Sequence, residues 1–276
     1  MKAAIFDVDG TLLDSMSVWE DIGERYLASQ NITAEKNLRA VLHTMSLEQG
    51  AAWMKEKYQL DKSISQIIEE VLKIVSDFYR FEAPLKPGVK KTLEWFKERN
   101  IQMTVATSGN RELTEAALAR NGILDYFEQI YTCTETGAGK DEPLIYLKAA
   151  ESMQAEPNET LVFEDALHAA KTAKKAGFVV IGVYDEENRK NISKMKEVCD
   201  CYCDRMDAAI ESIRLSSAVD REKPLSSTSF KPKSHLNWHS AFDPCLANTI
   251  RRPCSSEGAM TIRSPILEAR IASLSL

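Results

Sequence analysis

The 276-residue chain has no apolar run approaching the ~20 residues that a membrane-spanning helix needs, so nothing in it reads as a bilayer segment. It has no charged-then-apolar leader: Lys2 runs straight into Ala3-Ala-Ile-Phe6, and no secretory signal is expected. Basic residues are not in excess. With 35 Lys and Arg against 41 Asp and Glu the net charge is −6, which argues against general nucleic-acid affinity. The Arg251-Arg252 pair is too short to change that. Cysteines are few, at positions 133, 199, 201, 203, 245 and 254, and without a leader they are expected as reduced thiols in a cytoplasmic protein. Cys199-Asp-Cys201-Tyr-Cys203 lacks the CxxC spacing of a zinc knuckle and has no histidine beside it, so free thiols are expected there too. Of the four histidines, His168 reads as a helix-surface residue, and His235 and His239 belong to no motif. His43 reads as a polar residue at a helix end, within reach of a substrate loop.

What is present is 44% hydrophobic residues in a chain long enough for one α/β domain with an insertion. Three regions separate. Ala3 to Phe6 is an apolar strand pattern ending in Asp7, followed by a helical stretch over residues 16–81. Within that stretch Trp19, Ile22, Tyr26 and Leu27 share one face, and Ile64, Ile67, Ile68, Val71, Leu72, Val75 and Phe78 another. From Pro84 the pattern changes. Pro87-Gly88 opens a helix, and strand-like segments at 101–106, near 130–131, at 161–163 and at 179–183 alternate with helical ones. Such alternation implies a doubly wound parallel sheet, so the expected fold class is α/β, with residues 1–14 and 85–215 as core and 15–84 as a helical insertion. Residues 216–276 hold 12 serines, five of the nine prolines, eight basic and five acidic residues, so residues 1–215 carry −9. That last region reads as a disordered or non-homologous tail. Only Ile266, Leu267, Ile271 and Leu274, near its end, approach helical spacing.

The chemistry gathers where strands end. Asp7 and Asp9, two positions apart, leave the first strand into Gly10-Thr11. Ligands of open α/β sheets bind beyond the carboxyl ends of the strands. Two carboxylates so close repel unless a cation lies between them, and a hard divalent cation with oxygen ligands is the natural solution. Thr104-Val-Ala-Thr107-Ser108-Gly-Asn places hydroxyls and free backbone N–H groups at a strand-to-helix turn, where phosphate oxygens can be held. Lys140 lies in Gly137-Ala-Gly-Lys-Asp-Glu-Pro-Leu-Ile-Tyr-Leu147, and Leu161-Val-Phe ends in Glu164-Asp165. An acidic pair at a helix start also has a plainer use, complementing the helix dipole.

These four segments, in this order over residues 1–210, resemble the haloacid dehalogenase (HAD) superfamily of phosphohydrolases, in its β-phosphoglucomutase and phosphoglycolate phosphatase-like branch. The chain departs from that pattern at Asp141-Glu142, where the family usually has Pro and one other residue, and at Ala166 and His168-Ala169, where it often has Ser and Gly. The resemblance implies a HAD-like, Rossmann-type core with a small helical cap. It implies a phosphatase acting on a small phosphorylated metabolite through an aspartyl-phosphate, with Asp7 as nucleophile and Asp9 as general acid and then base. Thr107, Ser108 and Lys140 would bind phosphate, and Gly10 and Thr11 would support the turn. Mg2+ would be held by Asp7, Asp9 through its backbone carbonyl, Glu164 and Asp165. No nucleic acid, no membrane and a monomeric chain are expected. Sugar phosphomutases of this family use a cap arginine to grip a second phosphate. None occurs in residues 44–48, although Arg39 is near, which favours a phosphatase. The alternatives are a β-phosphoglucomutase-like phosphomutase and a catalytically idle binding protein on the same fold.

Overall fold

The computed structural model of the chain describes residues 1–43 and 45–221, with side chains to Arg214. Six strands pair in parallel in the order β3-β2-β1-β4-β5-β6: β1 (Ala3–Phe6), β2 (Gln102–Thr107), β3 (Gln129–Thr132), β4 (Thr160–Glu164), β5 (Val179–Val183) and β6 (Cys201–Cys203). The helices are α1 (Val18–Ser29), α2 (Leu38–Leu42), α3 (Leu47–Tyr58), α4 (Ile64–Phe81), α5 (Val89–Lys97), α6 (Arg111–Arg120), α7 (Cys133–Thr136), α8 (Leu144–Ser152), α9 (Leu167–Lys175), α10 (Ile192–Val198) and α11 (Ala208–Arg221).

The central strands are apolar at almost every position because a parallel sheet is covered on both faces. Side chains alternate across β1. Ala4 and Phe6 join one core cluster with Leu93 and Phe96 of α5, Leu118 of α6 and Ile210 of α11. Ala3 and Ile5 join another with Ile145 and Tyr146 of α8, Ala173 of α9 and Met195 of α10. Phe6 stacks on Phe163 of β4 at 4.6 Å between ring centroids, which locks the two central strands face to face. This is the doubly wound α/β sheet that the alternating pattern predicts. Among the described residues, no helix is long and apolar enough to cross a membrane.

The four helices between β1 and α5 bury a cluster of their own, with Tyr26, Leu27, Leu38, Met54 and Ile67. Both α3 and α4 open with reciprocal caps, Ser46 with Gln49 and Ser63 with Gln66. α4 is long enough to serve two cores. Ile67 and Val71 face the helical cluster, while Val75, Phe78 and Tyr79 pack on the sheet side. One rigid element therefore carries contacts from the insertion down to the strand ends.

The chain runs from β1 to β2 and β3 on one side of the sheet and to β4, β5 and β6 on the other. The direction reverses between β1 and β4, and the carboxyl ends of those strands frame a crevice. The sequence pattern does not predict α7, α10, β6 or α11. The boundary expected at residue 215 falls inside α11, which continues to Arg221. The tail reading beyond that helix lies outside the described residues, as do His235, His239, Cys245, Cys254 and Arg251-Arg252.

Candidate active site

Asp7 follows β1, Glu164 ends β4, and Asp165 follows it; all three are buried. Their carboxylate oxygens lie within 4.8 Å of one another, and they form the group able to hold a metal ion among the described residues. Lys140 reaches in from the turn before α8. Its Nζ donates to Asp7 Oδ1 and, at 2.6 Å, to Glu164 Oε1. Tyr146, on the first turns of α8, donates its hydroxyl to the same Glu164 oxygen at 2.7 Å. Asp7 Oδ2 and Glu164 Oε2 remain buried with no hydrogen-bond partner.

Three buried carboxylates thus face one buried ammonium. Burial pushes Glu164 up to about 7 against the pull of Lys140. Burial, then the charges of Asp7, Glu164 and Asp185, holds Asp165 well above the usual carboxylate range. Burial alone would lower Lys140, but Asp7 and Glu164 outweigh it and hold the ammonium charged. Two uncompensated buried charges would cost several kcal/mol. A divalent cation held by oxygen donors removes that cost, and the two orphaned carboxylate oxygens are the donors it needs. The residues present fit Mg2+.

Asp9 is placed differently. Its carboxylate is not in the acidic group but turns toward the helical insertion. Ser15 and Tyr79 of α4 both donate to its Oδ1 at 2.6 Å. Its Oδ2 lies beside Gly109, where a Cβ would come within 3.3 Å, so this oxygen faces the turn after β2. Burial, then the nearby Asp7, raises the Asp9 pKa, with Ser15 and Tyr79 opposing. The Asp9 carboxyl thus stands apart from the three residues able to hold a metal ion.

The turn residues take distinct places. Thr107 is fully buried, and its Oγ1 accepts the Gly109 N–H at 2.9 Å, which closes the turn after β2. Ser108 is half-buried with its Oγ 3.4 Å from Cys133 Sγ, so its hydroxyl leans toward the start of α7. Thr11 donates to Asp165 Oδ1 at 3.4 Å. Gly10 has φ +85°, and a Cβ there would collide with the Asp165 carboxylate, so both conformation and close approach require glycine.

Several residues that the sequence did not single out complete the site. Asn188 donates to Asp165 Oδ2 at 2.6 Å. Lys86 pairs with Asp185 at 2.8 Å, buried beneath Gly10. Ser15, Tyr79, Tyr146, Lys86 and Asn188 act across up to 99 residues of chain, and no local pattern announces such contacts. Ser15 and Tyr146 stand inside recognisable segments, six residues after Asp9 and six after Lys140.

Cys199 and Cys203 are buried and Cys201 half-buried, and all three are free thiols. Burial pushes the Cys199 thiol up to about 12 and raises the other two. Protonated thiols are poor metal ligands, and none belongs to the metal-capable group. His168 is exposed on α9, and His43 is exposed at the end of α2.

The family model described as haloacid dehalogenase-like hydrolase matches residues 1–177. A phosphorylated carbohydrates phosphatase of Thermotoga maritima is 26% identical over 181 residues, 64% of this chain and 82% of that protein. A β-phosphoglucomutase of Bacillus subtilis is 28% identical over 195 residues, 66% of this chain and 83% of that one. The crystal structure of a HAD family hydrolase from Deinococcus radiodurans R1, with bound phosphate and sodium, superimposes with a TM-score of 0.61. At 15% identity it covers 79% of this chain and 97% of its own, and it speaks for the fold alone.

Proposed function

This chain belongs to the haloacid dehalogenase-like hydrolases and acts on phosphate monoesters, and from that premise we propose that it is a Mg2+-dependent phosphatase of a small sugar phosphate working through an aspartyl-phosphate. The observation that carries this is Asp7: buried, fixed through one oxygen by Lys140, with its other oxygen free of any partner.

In this reading one carboxylate oxygen of Asp7 attacks phosphorus while the ester P–O bond breaks. Asp9 delivers its proton to the departing oxygen, which leaves as an alcohol. Asp9, now ionised, takes a proton from water, whose oxygen attacks the aspartyl-phosphate; phosphate leaves and Asp7 is restored. Ser15 and Tyr79 hold the Asp9 carboxyl toward the leaving group, and Lys140 with the turn at Thr107 and Ser108 holds the phosphoryl oxygens. A bound Mg2+, held by Asp7, Glu164 and Asp165, would neutralise charge on the transferring phosphoryl group. Because the three carboxylates leave a net negative pocket without it, positioning and electrostatics carry most of the catalysis. The helices of residues 15–84 serve as the cap that shields this chemistry from water.

The phosphomutase reading is not favoured. Arg39, the arginine near residues 44–48 in the sequence, is held in ion pairs with Glu20 and Glu187 rather than left for a second phosphate. The test is phosphate release from a panel of hexose and hexitol monophosphates with Mg2+ and with EDTA. Release that disappears in EDTA and returns with Mg2+ is expected. A hexose 1-phosphate converted to its isomer without free phosphate would overturn the reading.

A further inference from the structure

α1, α2 and the start of α3 line a cleft of about 80 Å3. Its apolar wall includes Trp19, Leu42, Met54 and Val71. Gly23 sets its width: a Cβ there would collide with Leu42 and lie 3.1 Å from Leu38, so α2 approaches α1 only because this position has no side chain.

Two chain connections tie the cleft to the reacting groups. Trp19 stands one helical turn after Ser15, whose hydroxyl holds Asp9. Glu187, on the cleft rim, immediately precedes Asn188, whose amide holds Asp165. Through these neighbours in the chain the cleft adjoins the residues that hold Asp9 and Asp165.

The charge inside the cleft is unbalanced. Glu20, Glu24 and Glu187 line it, and Arg39 is already shared between Glu20 and Glu187. Glu24 Oε2 is buried and has no hydrogen-bond partner. A desolvated carboxylate oxygen with no donor is a group that a ligand can complete.

We propose that this cleft is the leaving-group site and that it selects phosphomonoesters whose leaving group has an apolar face and a hydrogen-bond donor, in the order cationic, then neutral, then anionic, with Glu24 as the specificity residue. The proposal rests on the phosphatase reading and adds the chemistry of the substrate to it. Trp19 offers a flat surface to the apolar face, and its electron-rich ring favours a cation over an anion. A second phosphate meets three carboxylates and an arginine that is already occupied.

The experiment compares three esters of nearly equal size on the intact chain with Mg2+: 4-(aminomethyl)phenyl, 4-(hydroxymethyl)phenyl and 4-carboxyphenyl phosphate. The expected kcat/KM of the cationic ester exceeds that of the anionic one at least about tenfold, as for one charge-assisted hydrogen bond against one repulsion. In Glu24→Gln the cationic-to-anionic ratio collapses by about tenfold, a comparison in which intrinsic differences among the phenols cancel. Equal turnover of the three esters by the intact chain, preference for the carboxylate, or an unchanged ratio in Glu24→Gln overturns the proposal. Hydrolysis of sugar monophosphates without hydrolysis of any of the three overturns it and leaves the phosphatase reading standing. No phosphate release from any ester removes both.

Discussion

Asp7 is the residue where stability and chemistry oppose each other. Its charge raises the pKa of Asp9, Glu164 and Asp165, while Lys140 compensates it and would keep Glu164 as a partner if Asp7 were neutral. Three repulsions outweigh one shared attraction, so Asp7→Asn should raise the metal-free melting temperature, by an amount corresponding to about 1 kcal/mol, while abolishing turnover. Calorimetry in EDTA beside a phosphate-release assay checks both halves, and a variant that loses activity by losing stability would refute the account. Asp9 makes a different demand. Its Oδ1 is held by two hydroxyls, and an asparagine oxygen can still accept both, so Asp9→Asn should fold normally and turn over about 10²–10⁴ more slowly. Rapid-quench trapping should find slowed formation and slowed breakdown of the phosphoenzyme; an unchanged rate would make Asp9 a purely structural residue. Both carboxylates stand out in the sequence because they sit in one short turn. Tyr79 and Asn188 do not, because the sequence records neither the 70-residue reach from Tyr79 to Asp9 nor the 23-residue reach from Asn188 to Asp165.

Elements were legible in proportion to their length and to the regularity of their burial. β1, β2, β4 and β5 are runs of small and branched apolar residues between helices, and α4 repeats its apolar face over 18 residues. β6 has three residues, Cys-Tyr-Cys, between Asp200 and Asp204, too short for any alternation to appear and easily taken for a cysteine cluster. What makes it a strand is its neighbour: Gly182 of β5 leaves room for the Tyr202 ring and for Cys199, either of which a Cβ would crowd. That packing has a measurable consequence. Burial pushes the Cys199 thiol from its ordinary 9.0 up to about 12, so the native thiol stays protonated after the unfolded one has ionised. A raised native pKa gives stability that is complete below pH 9 and is lost as pH rises toward 12, with a slope approaching ~1.4 kcal/mol per pH unit from this group. Cys199→Ala should flatten the fall between pH 9 and 11 in urea titrations while lowering stability modestly at pH 7. An alkaline limb identical to that of the unaltered chain would show that this thiol is not among the groups that set it.

At the scale of the whole molecule, the chain divides by charge and composition more sharply than by length. Residues 1–215 carry −9 and every group of the site, and residues 216–276 carry +3 with 12 serines and five prolines. Composition placed the boundary at 215 because serine at 216 and 217 marks the start of the polar region. The helix that begins at Ala208 ignores that change and runs to Arg221, since a backbone hydrogen-bond ladder, once nucleated, adds one bond per residue. Within its earlier turns Ala209 and Ile210 belong to the sheet-side cluster, next to Leu93 and Phe96, so α11 is anchored by its first half. Two truncations separate the two boundaries. A chain ending at residue 221 should keep its melting temperature and its phosphate-release rate, because the site and the three core clusters are complete among the described residues, which end there. A chain ending at residue 215 removes six helical residues and leaves the last carbonyls of α11 without their intrahelical donors. It should melt lower, by an amount corresponding to about 1 kcal/mol, with kcat and KM unchanged. Equal stability of the two would place the end of the folded unit at 215 after all. A loss of turnover on cutting at 221 would mean that the segment after α11 contributes to the site.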